Sequence, residues 1–141
     1  MKKKRILALF LAAVSCLSLA VSASAAGTTT RKATDFKDYD RTAWYAEAVS
    51  AAVDNGLLYG KSATVIDPNG DMTRAEMAAI INRSFGCYKV ADISQYKDVA
   101  KSKWYYKDVG LAVQMGTYNG RSSSSMAPDT PITREEAMTV V

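Results

Sequence analysis

The chain has 141 residues, two cysteines, no histidine and a formal charge of +4. Lys2, Lys3, Lys4 and Arg5 carry that whole excess, so the basic balance belongs to the first few residues and gives no ground for a nucleic-acid partner. Without histidine the commonest general base and zinc ligand is missing, and Cys87 is the sole cysteine beyond the N-terminal segment. A histidine-centred catalytic or metal site and a disulfide-stapled fold are thereby excluded.

The first 25 residues have the three parts of a secretory signal peptide: a basic start, an apolar run from Ile6 to Val21, and the small-residue pattern Ala23-Ser24-Ala25. Removal of this segment leaves about 116 residues, enough for one small domain, and no membrane span is expected in them. Residues 26–34 are small and polar and read as a linker.

From there the chain repeats itself. Shifted by 60 positions without a gap, residues 36–81 lie over residues 96–141. Identical pairs include Lys37/Lys97, Asp38/Asp98, Trp44/Trp104, Tyr45/Tyr105, Val49/Val109, Ala52/Ala112, Val53/Val113, Gly56/Gly116, Gly60/Gly120, Pro68/Pro128, Thr73/Thr133, Arg74/Arg134 and Glu76/Glu136. Core, turn and charged residues recur together, so one structural unit is used twice. The units span residues 35–86 and 95–141, the second lacking the last turn of the first, with residues 87–94 as an inter-repeat linker.

Each unit opens on an aromatic-x-Asp group, and Asp38 and Asp98 are expected to cap a turn or a helix through backbone N–H groups. A helix is predicted over residues 43–55. Tyr45, Val49, Ala52 and Val53 form one stripe at a period of 3.6, and Gly56 supplies the left-handed stop. Tyr105, Val109, Ala112, Val113 and Gly116 repeat stripe and stop. Trp44 and Trp104 sit on the stripe's edge, where an indole can pack or stack against a sugar ring. A loop follows in which Gly60 and Gly120 permit positive φ or close backbone approach and Pro68 and Pro128 mark a turn. Asp67, Asn69 and Asp71 have the spacing that opens a calcium loop. Met72 and Ala78 stand where glycine and a bidentate acid are needed, so no metal site is expected.

The second helix of each unit starts with a capping box. Thr73 is placed to accept from a free N–H while Glu76 reaches back to the Thr73 N–H, and Thr133 and Glu136 repeat the arrangement. Arg74 and Arg134 at the first helical position are expected to face outward beside unpaired N–H groups, together attracting a carboxylate or phosphate. Two carboxylates, Glu76 and Glu136, raise the alternative of a small secreted glycosidase, but equivalent capping positions depress a pKa where an acid catalyst needs it raised.

The order aromatic-x-Asp, Trp, an Ala/Val helix ending in Gly, a second Gly, Pro, then Thr-Arg-x-Glu and an apolar helix resembles the S-layer homology repeat. Thr73-Arg74-Ala75-Glu76 matches that family's signature tetrapeptide, and Thr133-Arg134-Glu135-Glu136 departs at its third place. The resemblance implies an all-α fold of tandem helix-loop-helix repeats within a pseudo-threefold helical bundle. It also implies a non-enzymatic, cofactor-free module that anchors an exported protein to the bacterial cell wall by binding anionic, often pyruvylated, polysaccharide. Carried over by position, the ligand-binding role falls to Arg74 and Arg134, with Trp44, Trp104, Gly60 and Gly120 as groove residues. A structural or self-assembly module of the cell surface is the alternative, with self-association or a third repeat completing the bundle.

Overall fold

A computed structural model describes residues 31–140; the signal-peptide reading lies outside them. The described chain is helical, with no sheet among those residues, and its one isolated bridge joins Thr73 to Pro131. Four α-helices follow a 3-10 turn over Ala33–Asp35: α1 (Ala46–Asp54), α2 (Arg74–Phe85), α3 (Tyr106–Met115) and α4 (Arg134–Thr139). None of them is long and apolar enough to cross a membrane.

Helix α1 begins three residues after the expected start at 43, and α1 and α3 each begin one residue past the first tyrosine of their stripes, because residues 43–45 and 103–105 form turns, Ala46 N–H bonding Ala43 O and Tyr106 N–H bonding Lys103 O. Gly116 closes α3 in the left-handed region at φ 76, and Gly86 closes α2 at φ 67. The aromatic-x-Asp aspartates reach across the loop. Asp38 accepts from the N–H groups of Ile66 and Asp67, and Asp98 from those of Met126 and Ala127. These bonds hold Asp67 and Ala127, at equivalent positions, in the left-handed region at φ 57 and 54.

Packing does not respect the repeat boundaries. The largest helix contact among the described residues joins α2, from the first repeat, to α3, from the second. Ala75, Ala78 and Ile81 of α2 share a core with Ile93, Tyr96, Tyr105, Val109, Ala112 and Tyr118. A smaller cluster of Ala33, Phe36, Val53 and Ile66 underlies the first repeat. Both stretches read as linkers enter these cores at one end, since Ala33 is 2% exposed and Ile93 is completely buried. Gly110 lets the connection lie flat on α3. Ala91 N–H bonds Gly110 O, and a Cβ there would strike Val90.

Candidate functional site

Helix α2 starts on a complete capping box: Glu76 N–H donates to Thr73 Oγ1 at 3.2 Å and Thr73 N–H to Glu76 Oε2 at 2.8 Å. The next N–H groups are filled from the other repeat, Arg74 N donating to Thr130 O at 3.0 Å and Ala75 N to Pro128 O at 2.9 Å. The Arg74 side chain turns the same way. Its Nε donates to Met126 O and its Nη2 to Asn119 O, both at 3.0 Å, and its guanidinium lies 5.1 Å from the centre of the Tyr118 ring. Nη1 stands 3.5 Å from Glu136, and the side chain is 7% exposed. The expectation of an outward Arg74 beside free N–H groups is therefore corrected: the loop of the second repeat supplies the carbonyls that a ligand would have supplied, and the arginine bolts the repeats together. Arg134 is exposed, as its position at the start of α4 leaves it beyond any such loop among the described residues.

The capping glutamates each hold a cation that identity alone did not mark. Lys61 Nζ lies 2.9 Å from Glu76, and Arg121, 60 positions later, lies 2.9 Å from Glu136. Burial pushes the Glu76 carboxyl up, but the Thr73 N–H and Lys61 outweigh it and hold it below the usual range. The Thr133 N–H, against a smaller effect of burial and with Arg121 and Arg74 beside it, does the same for Glu136. Both carboxylates are thus ionised and engaged, the reverse of a glycosidase acid.

Gly60 and Gly120 are packing sites for their own repeats. A Cβ on Gly60, at φ 82, would come within 2.6 Å of the Phe36 ring, and one on Gly120 would strike the Tyr96 ring. Gly60 alone also lines the open cleft described next.

That cleft, of about 510 Å³, opens beside α2. Its wall is apolar, from Tyr45, Val49, Leu58, Ile66 and Ile80. Trp44, 93% exposed, and Trp104, 60% exposed, both line it, so each repeat contributes one of the chain's two tryptophans. Each indole lies nearly perpendicular to its neighbouring tyrosine, at 5.7 Å for Trp44–Tyr45 and 5.3 Å for Trp104–Tyr105, and keeps most of its surface open to the solvent. Two cations and three carboxylates, Asp67, Asp71 and Glu76, line the same space. Lys61 is paired with Glu76, whereas Arg83 donates to Leu57 O at 2.9 Å and stacks 4.1 Å over Tyr59, with no carboxylate partner among the described residues. Arg83 and Tyr59 were not singled out by the repeat: Tyr59 faces Asn119 at the shifted position, and Arg83 lies past the aligned residues. Lys61 had a signal, a basic residue at both 61 and 121. No cluster of acids, cysteine or histidine able to hold a metal occurs among the described residues.

The S-layer homology domain model matches residues 35–78 and 95–138. The chain belongs to the S-layer homology family. It is 35% identical over 106 residues to the surface-layer 125 kDa protein of Lysinibacillus sphaericus, a match covering 72% of this chain and 9% of that protein. An endoglucanase of Bacillus sp. strain KSM-635 is 29% identical over 135 residues, 94% of this chain and 14% of the enzyme. A cell surface protein of Thermoanaerobacter kivui is 28% identical over 137 residues, 93% of this chain and 18% of that protein. The chain thus spans a small part of each of these relatives. As an S-layer homology chain it is a protein of the cell surface, built on a module that anchors to the cell wall.

Proposed function

We propose that this chain holds an exported protein at the cell wall by binding an acidic, pyruvylated polysaccharide in the cleft between Trp44 and Trp104. The observation that carries this is the combination in one cleft of two exposed indoles and an arginine without a carboxylate partner. Indole faces suit the C–H faces of sugar rings, and a guanidinium suits a carboxylate fork. Arg83 takes the part that the signature would give to Arg74, whose donors are already spent within the fold. A surface-layer protein and an endoglucanase both contain a segment like this one, which favours a role shared by the two over a catalytic one.

Because both tryptophans line the cleft, intrinsic fluorescence reports on it directly. Titration with purified wall polysaccharide is expected to change the emission saturably, and Trp104→Ala to weaken binding by about 1–3 kcal/mol, the scale of one lost aromatic stacking contact. Co-sedimentation of the variant lacking both indoles with the polysaccharide, undiminished from the parent, would remove the cleft from the account.

A further inference from the structure

The residues around the two tryptophans match in place and differ in charge. From Asp40 to Glu47, around Trp44, one arginine, Arg41, stands against two acids. From Ala100 to Lys107, around Trp104, there are three lysines, Lys101, Lys103 and Lys107, and no acid. All three are exposed, and none has a carboxylate within ion-pairing distance among the described residues. The acids nearest in sequence are already engaged. Asp98 takes the N–H groups of Met126 and Ala127, Asp108 takes Asn82 Nδ2 at 3.2 Å, and Asp92, which feels the Lys101 charge, takes the Ser94 N–H at 2.9 Å. Lys107 stands in the first turn of α3, where a cation opposes the helix dipole, while Glu47 in the first turn of α1 agrees with it. Helix stability therefore does not account for a lysine at that place.

We propose that the acidic polysaccharide, on the footing that the cleft holds it, leaves over Trp104 and runs on along Lys101, Lys103 and Lys107, which attract the acidic groups of sugars beyond the one in the cleft. Trp104 belongs to both surfaces, since it lines the cleft and adjoins Lys103 in the chain. The cleft is charged unevenly in the same sense: its three carboxylates come from the first repeat, and Trp104 is the sole lining residue from the second. A polyanion passing Trp44 instead would meet Asp40 and Glu47 and be repelled. An ammonium on a flexible stem is a point charge rather than a fitted fork, which suits acidic groups at loose spacing along a polymer better than one sugar held in a fixed pose. Arg83 and the indoles thus fix one unit, and the lysines gain from the polymer's length.

Calorimetric titration with the purified polymer and with a fragment of one acidic repeating unit tests this, on the parent and on a variant carrying Lys101→Gln, Lys103→Gln and Lys107→Gln together. The variant is expected to bind the polymer about tenfold more weakly at low salt and to bind the fragment as the parent does, three exposed charges each contributing a modest share. Added sodium chloride is expected to weaken polymer binding by the parent more than by the variant, because exposed charges are screened. The three lysines are exposed, so circular dichroism like the parent's is expected to show that the variant folds. Undiminished polymer binding by the variant, an unchanged salt dependence, or an equal loss on polymer and fragment overturns the proposal and leaves the cleft reading standing. A fragment that the parent does not bind, or binds as well after Arg83→Gln, overturns the cleft reading and the proposal with it.

Discussion

Arg74 and Arg134 occupy the same place in a repeated motif and do different work, because what faces a side chain is set by the neighbouring unit. Arg74→Ala strands two carbonyls, at Asn119 and Met126, that now share one guanidinium, and is expected to cost about 2–4 kcal/mol in urea denaturation. Arg74→Lys is expected to recover little of that, since a single ammonium does not reproduce the planar fork. Arg134→Ala, at an exposed position, should stay within about 0.5 kcal/mol of the parent. Thr73 and Glu76 were legible in the sequence because a capping box is a local pattern, four residues from Thr73 to Glu76. The burial of Arg74 was not legible, because its partners are backbone oxygens 45 and 52 positions away, which leave no mark in residue identity. Gly60→Ala should cost about 1–3 kcal/mol by forcing the Phe36 ring aside.

Among the elements, α2 decides the architecture. Its start is fixed within the first repeat by Thr73, but its apolar face, Ala75, Ala78 and Ile81, belongs to the core of the second. The periodicity of the helices was readable, and so was the all-α class. The exchange of α2 across the repeat boundary was not, because a stripe at 3.6 residues shows that a face is buried without saying against what. A segment holding residues 87–141 alone lacks the helix that covers Tyr105 and Val109, and is expected to give an unfolded circular dichroism spectrum. The full chain should unfold in one transition, since its main core is built from both repeats. Thr73→Ala should lower stability by about 1 kcal/mol through loss of the cap.

For the molecule as a whole, the loops are held by carboxylates and the core by phenols, and this sets the pH range of the fold. The Ile66 N–H holds Asp38 below the usual carboxylate range, and Asp98 stays low because the Met126 N–H, the Ser125 hydroxyl and the Ala127 N–H outweigh the effect of burial. A folded-state pKa below the unfolded one adds stability that is present above the unfolded value and lost as the pH falls. Thermal stability should therefore be level near neutrality and decline below about pH 4. Burial pushes Tyr105 and Tyr118 up to about 12, so their contribution holds below the ordinary tyrosine pKa and is lost as the pH rises through that folded value. Absorbance titration should show two tyrosines ionising only on alkaline unfolding.

The cleft is also a property of the whole molecule, for Trp44 comes from one repeat, Trp104 from the other, and Arg83 from the helix between them. The most direct measurement is calorimetric titration of the protein and its Arg83→Gln variant with purified wall polysaccharide, before and after mild acid has stripped its pyruvate ketals. The parent should bind only the acidic polymer with high affinity, and the variant should bind both forms as weakly as the parent binds the stripped one. Equal affinity of parent and variant for the acidic polymer would contradict the assignment of the anion to this cleft.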